Sequence, residues 1–173
     1  MKLEKLGLKG IRGIANEKKS DSRGTLVRIW DEEFAIPEFN LAQGSFVSNP
    51  ELGTLRGLHF QSDPFSESKI LYCVSGKIFD VIVDIRPKSP TYKKHLVVEL
   101  GLNQEFMGLI IPAGFAHGYL TLETNSNLIY FMDTPFKKEN VDGIHWERNC
   151  LDIKWPFNPI VISEKDSELK DFQ

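Results

Sequence analysis

Short apolar runs dominate this chain, and they stop at Gly, Pro, Asn or Ser before a helical repeat can establish itself. Strands are predicted at TLVRIW (25–30), GSFVS (44–48), KILYCV (69–74), IFDVIVDI (78–85), HLVVEL (95–100), MGLIIP (107–112), GYLTLE (118–123) and NLIYFMD (127–133). These runs are rich in β-branched and aromatic residues and too short for core helices. Ser75-Gly76 reads as a tight hairpin and Asn125-Ser126 as a second turn. Only DEEFA, near residue 31, and SEKDSELKDF, near the end, offer a turn or two of helix. Many strands at short intervals predict an all-β jelly-roll sandwich or barrel with a few short helices. No linker, repeat or low-complexity tract divides residues 1–173, so one domain is expected.

Within this pattern LRGLHFQ (55–61) is odd, because a strand-like segment carries both Arg56 and His59. Period-two alternation places His59 with Gln61 on one face and Arg56 with Leu58 on the other, unless a bulge at Gly57 intervenes. Arg56 is costly to bury without an anion. Lys69, at the start of the next strand, is also an unusual choice for packing. A polar site in the barrel mouth competes here with a satisfied core histidine.

Composition narrows the field. The 173 residues include 41% hydrophobic and 26% charged residues with net charge −3, so the basic footprint of a nucleic-acid binder is missing. The pairs Lys18-Lys19, Lys93-Lys94 and Lys137-Lys138 read as solvated loop charges. Cys73 and Cys150 make neither a disulfide framework nor a metal pattern. No apolar run reaches membrane-spanning length, and MKLEKLGLKG lacks an apolar signal region, so a cytoplasmic protein is expected. Gly7, Gly10 and Gly13 lack the strand–turn–helix context of a phosphate site.

PAGFAH (112–117) matches the second motif of the cupin jelly rolls, Pro-x-Gly-x-x-His. In the first motif Gly53 and His59 are correctly spaced, but Gln61 stands where a second histidine is required. A catalytic first-row metal needs about three protein ligands, and His59 and His117 supply two, with Glu67 in a polar turn. The expectation is a barrel without metal or cofactor, with His59 available for proton transfer; a metal-dependent cupin oxygenase is the alternative.

TLRGLHFQ, SKILYCVSGKIFDVIVDIRPKSPTY, IPAGFAHGYLTL and GIHWERNCLDIKWP together closely resemble the dTDP-4-dehydrorhamnose 3,5-epimerase family, in order and over nearly the whole chain. The resemblance implies a cofactor-free isomerase on a metal-free jelly roll, a homodimer exchanging N-terminal strands, and a part in bacterial cell-surface polysaccharide synthesis. The implied substrate is a nucleotide-linked 4-keto-6-deoxy sugar, inverted at C3 and C5 through an enolate. That chemistry calls for a base, a cation at the enolate oxygen and an acid across the ring. By the resemblance His59 is the base, Asp166 its carboxylate, Lys69 the cation and Tyr130 the acid. Arg56 and Arg23 match nucleotide or diphosphate contacts, Arg23 reaching a neighbouring subunit, and His117 and Asp80 match residues by the sugar.

The departures cluster where the family holds the base. Arg28 replaces a glutamate, Gln43-Gly44-Ser45 replaces Gln-x-Asn, Phe136 replaces a stacking tyrosine, and Tyr72 replaces an arginine. A cation cannot accept thymine's imide N–H as a carboxylate does. GDP- or CDP-linked sugars or heptoses therefore stand beside dTDP, and inversion at C3 alone stands beside inversion at both centres. A non-catalytic sugar-nucleotide binding module is the remaining reading.

Overall fold

The apolar runs pair into a strand-dominated sandwich in a computed structural model that describes residues 2–30 and 39–172. The helical turn expected at DEEFA lies outside the described residues. The strands are β1 (Leu3–Lys5), β2 (Arg12–Ala15), β3 (Lys19–Asp21), β4 (Gly24–Leu26), β5 (Gln43–Asn49), β6 (Thr54–Gln61), β7 (Lys69–Ser75) and β8 (Lys77–Asp84). They continue with β9 (His95–Gly101), β10 (Phe106–Ile111), β11 (Phe115–Thr121), β12 (Ser126–Met132), β13 (Val141–Asn149), β14 (Val161–Ile162) and β15 (Lys170–Phe172). The terminal helical expectation shrinks to one turn, α1 (Glu164–Ser167), capped by Ser163 Oγ accepting the Asp166 N–H. No helix among the described residues is long and apolar enough to cross a membrane.

Hydrogen bonding runs β15-β13-β6-β11-β8-β9-β10-β7-β12-β5, with β2 on β10 and β1 on β2. A single parallel bridge, Phe106 to Leu100, joins β10 to β9 and folds the path into two facing layers. Between the layers lie Leu71, Cys73, Ile78, Ile82, Leu109, Ile111, Phe115 and Leu128. Ile70, Tyr72, Met107 and Ile110 face the other way from one layer and are covered by Leu3, Val27, Ile29 and Phe39. The far side of the other layer, with Leu58, Val81, Val83 and Ala116, is covered by Leu151, Ile153, Trp155 and Phe172 from the C-terminal stretch. Each layer thus hides both faces, which explains why so many of its runs are continuously apolar.

Two local expectations are corrected. Ser75-Gly76 is no hairpin: β7 pairs with β10 and β12, and β8 with β9 and β11, so the glycine turns the chain from one layer to the other. Gly76 has φ +69°, and a Cβ there would sit 2.8 Å from Ser126 Cα. The run at 25–30 is strand only to Leu26; beyond it Val27 and Ile29 turn inward as extended cover, and the Ile29 carbonyl accepts the Tyr72 hydroxyl at 2.6 Å. The strand β13 and the N-terminal strands, which the pattern did not flag, complete the layers.

Candidate active site

The bulge decides which side chains meet. On β6 and β11, His59 stands opposite His117 and Arg56 opposite Tyr119, so three steps on one strand match two on the other. The extra residue falls at Gly57-Leu58, whose peptide is cis, and Gly57 takes φ +115°. A Cβ on Gly57 would lie 2.6 Å from Gly118 Cα, so only glycine permits this strand spacing. The shift reverses alternation and turns Arg56 and His59 to the same side.

Both line a cleft of about 300 Å³ between the layers. One wall holds Arg56, His59, Gln61, His117 and Tyr119; the other holds Val47, Lys69, Leu71, Tyr130 and Met132. Tyr130 sits diagonally from Lys69 on the β7–β12 ladder, on the wall facing His59. Ser163, Lys165 and Asp166 close one side and Phe136 and Val141 another.

His59 Nε2 lies 2.7 Å from Asp166 Oδ1, and Asp166 Oδ2 accepts the Gly57 N–H at 3.1 Å. Burial pushes the Asp166 carboxyl up, but the His59 hydrogen bond and charge and the Gly57 N–H outweigh it and hold it below the usual carboxylate range. In a neutral imidazole such a carboxylate draws the hydrogen to Nε2, which leaves the lone pair on Nδ1. Beneath the same wall, His117 Nε2 lies 2.8 Å from Oδ2 of fully buried Asp80. There burial dominates and raises the Asp80 carboxyl, against the pull of His117 and Lys69.

Lys69 Nζ is 2.6 Å from Glu67 Oε1 and 3.5 Å from the His59 carbonyl. Glu67, expected in a polar turn, is buried, and its Oε2 accepts the Gln61 N–H at 3.0 Å. Gln61 borders the cleft, but its amide is committed to main chain: Nε2 donates to Phe65 O at 2.9 Å, and Oε1 accepts the Lys137 N–H at 2.6 Å. Among the described residues no group of three or more His, Cys, Asp or Glu is arranged to hold a metal ion.

The remaining candidates separate. Gln43 and Ser45 stand on the inward side of β5 at the mouth, and Gln43 Oε1 accepts the Phe136 N–H at 3.1 Å. Phe136 is about half exposed at the rim. Arg23 is away from the cleft on the β3–β4 hairpin, its side chain 88% exposed and ion-paired with Asp21. Arg28 is exposed and borders a separate depression with Lys18 and Lys19.

The structure adds residues that the sequence reading did not single out. Buried Asn49 accepts Arg56 Nε–H at 2.9 Å, leaving the far end of the guanidinium to the cleft. Tyr119 OH donates to the same oxygen at 3.4 Å, and burial pushes this phenol up to about 12. Lys165 places a further cation on the cleft in addition to Arg56 and Lys69. The spacing Ser163-x-x-Asp166, a helix-start signal, was the available clue to the last group.

The profile of the family described as dTDP-4-dehydrorhamnose 3,5-epimerase matches residues 5–173. The enzyme of that name from Sinorhizobium fredii is 35% identical over 96% of this chain and 87% of its own. The Methanothermobacter thermautotrophicus enzyme is 35% identical over 96% of this chain and 91% of its own. Among solved structures, the Bacillus anthracis dTDP-4-dehydrorhamnose 3,5-epimerase with TDP and pyrophosphate bound superposes with TM-score 0.90 at 29% identity, covering 98% of both chains. The Legionella pneumophila dTDP-6-deoxy-D-glucose-3,5-epimerase, in complex with dTDP-4-keto-L-rhamnose, gives TM-score 0.90 at 27% identity over 99% of this chain and 92% of that one. With histidine and tyrosine on opposite walls of an interlayer cleft and a family match over residues 5–173, this chain belongs to the dTDP-4-dehydrorhamnose 3,5-epimerase family of isomerases.

Proposed function

We propose that this chain is a single-domain, cofactor-independent epimerase that inverts C3 and C5 of a dTDP-linked 4-keto-6-deoxy sugar. The observation that carries the reading is the His59–Asp166 pair facing Tyr130 across the cleft, with Lys69 on the tyrosine's wall. The C4 ketone acidifies the hydrogens on C3 and C5. His59 Nδ1 takes one of them, the C–H electrons form a C=C bond, and the carbonyl electrons move to oxygen beside the Lys69 ammonium. The Tyr130 hydroxyl then protonates the same carbon from the opposite face. Asp166 orients the imidazole and balances the imidazolium. Arg56, held by Asn49, and Lys165 receive the diphosphate.

A homodimer accords with the exposed apolar side chains Leu26, Trp30, Leu41 and Phe46, and with β5 ending the sheet as an edge among the described residues. It is the arrangement in which the N-terminal segment carrying Arg23 and Arg28 reaches a second copy's cleft. Two free thiols, Cys73 and Cys150, suit a reducing cytoplasm.

Solvent deuterium followed into a dTDP-4-keto-6-deoxy sugar by NMR tests the reaction: label at both C3 and C5 is expected. Absence of label at both carbons would defeat the epimerase reading, and label at C3 alone would reduce it to a monoepimerase. Titration with dTDP and GDP tests the base, because Arg28 offers a cation to it; tighter GDP binding would overturn dTDP.

A further inference from the structure

The two His–Asp pairs stand side by side on one wall, built alike but surrounded differently. His59 and His117 are opposite each other in the β6–β11 ladder, and each presents Nε2 to a buried carboxylate. Asp166 has both oxygens engaged, one by His59 and one by the Gly57 N–H. Asp80 is fully buried, and no donor reaches its Oδ1 among the described residues. A carboxylate charge with a bare oxygen at that depth is costly, whereas a pair bearing one more proton is neutral.

We propose, resting on the epimerase reading, that Asp80 and His117 hold two protons between them in the resting protein, so that His117 offers Nδ1–H to the keto oxygen beside Lys69. His59 and Asp166 hold one, and His59 offers a bare Nδ1. Whether the second proton of the Asp80 pair is drawn on Oδ2 or on Nε2, the count and the donor at Nδ1 are the same. The burial-driven rise of Asp80 points the same way.

The neighbours on every side agree with this count. From β7, Lys69 draws toward an ionised Asp80, but its ammonium is already matched by Glu67 Oε1 at 2.6 Å. The Cys73 thiol, raised to about 12 by burial, and the Tyr119 phenol, also at about 12, are neutral. From β6, His59 is committed to Asp166. In the reaction the C–H proton goes to His59 Nδ1 and the carbonyl electrons go to oxygen. That oxygen accepts hydrogen bonds from His117 Nδ1–H and Lys69 Nζ, both keeping their protons, until Tyr130 supplies the new C–H proton. Two pairs whose surroundings push them apart thereby divide the work of acceptor and donor.

Nitrogen-15 NMR of the ligand-free protein, labelled at histidine and assigned with His117→Asn and His59→Asn, reads the two Nδ1 atoms directly at pH 7.5. A protonated Nδ1 is expected for His117 and a bare one for His59. A bare Nδ1 on His117 overturns the proposal. In Asp80→Asn the amide either accepts Nε2–H, in which case His117 Nδ1 should become bare and kcat should fall about 100-fold with KM little changed, or donates to Nε2 and should keep both Nδ1–H and kcat. Unchanged kcat in that variant with a bare Nδ1 on His117 also overturns it; should the variant fail to fold, the wild-type spectrum decides. Failure of the epimerase reading appears separately, as no deuterium exchange by the wild type.

Discussion

His59 and His117 are neighbours on one wall, yet their carboxylates reach them by different routes. Asp80 comes from β8, the strand beside β11, so the His117 pair is built into the sheet and buried with it. Asp166 comes from α1, more than a hundred residues beyond His59, on a stretch that crosses the far side of the layer before reaching the cleft. The sheet-borne pair is therefore as stable as the core, while the tail-borne pair depends on a one-turn helix staying docked. The lesson is one of separability: the His59 pair can be disturbed without touching the sheet, and the His117 pair cannot.

The sharpest break is His59→Asn, which removes the accepting nitrogen and is expected to lower kcat about 10³-fold, with deuterium exchange falling in parallel. Asp166→Asn should leave a base of uncertain tautomer and cost about 10²-fold in kcat, measured as initial rates on the 4-keto substrate. Its stability effect has a defined sign. Asp166 is held below the usual carboxylate range when folded, so its contribution is present above about pH 4 and is lost as pH falls through the lowered value. Wild type should exceed the variant by about 1–3 kcal/mol in urea melts at pH 7, and the gap should close in acid.

Gly57→Ala tests whether the bulge sets the wall. A methyl 2.6 Å from Gly118 Cα must push β6 from β11, costing about 1–3 kcal/mol and raising KM and lowering kcat together, since Arg56 and His59 both move. Smallest is Ser163→Ala. Loss of the cap should cost about 1 kcal/mol in melts. In nitrogen-15 spectra it should shift the His59 signals while leaving those of His117 in place; equal movement of both would end the distinction between a welded and a delivered pair.

Much of this was legible in the residues. Short length and β-branched or aromatic content marked most strands of both layers, because layers covered on both faces leave short, continuously apolar runs. The pairing was not: Ser75-Gly76 has the composition of a hairpin, and only the packing of two layers shows that the chain crosses between them there. The face of Arg56 turned on one inserted residue, for which Gly57 was the cue, since a positive φ and a close strand contact both call for glycine. Glu67 misled, because a charged residue among serines looks solvated until Lys69 and the Gln61 N–H are seen to use both its oxygens. Asn49 gave no local signal, because its partners Arg56 and Tyr119 lie on other strands.

Gln61 bears on how easily this barrel could change trade. Restoring a histidine there would supply the missing member of the metal motif, a single-codon proposition on paper. The amide it replaces, however, fastens two surface loops, at Phe65 and at Lys137, and the second adjoins the Phe136 rim. An imidazole that gives one nitrogen to a metal keeps a single N–H and cannot both donate and accept at those positions, so the gain of a ligand would arrive with a frayed entrance. The residue that breaks the metal signature has become a rivet of the doorway, and the road back is closed by architecture before chemistry is consulted.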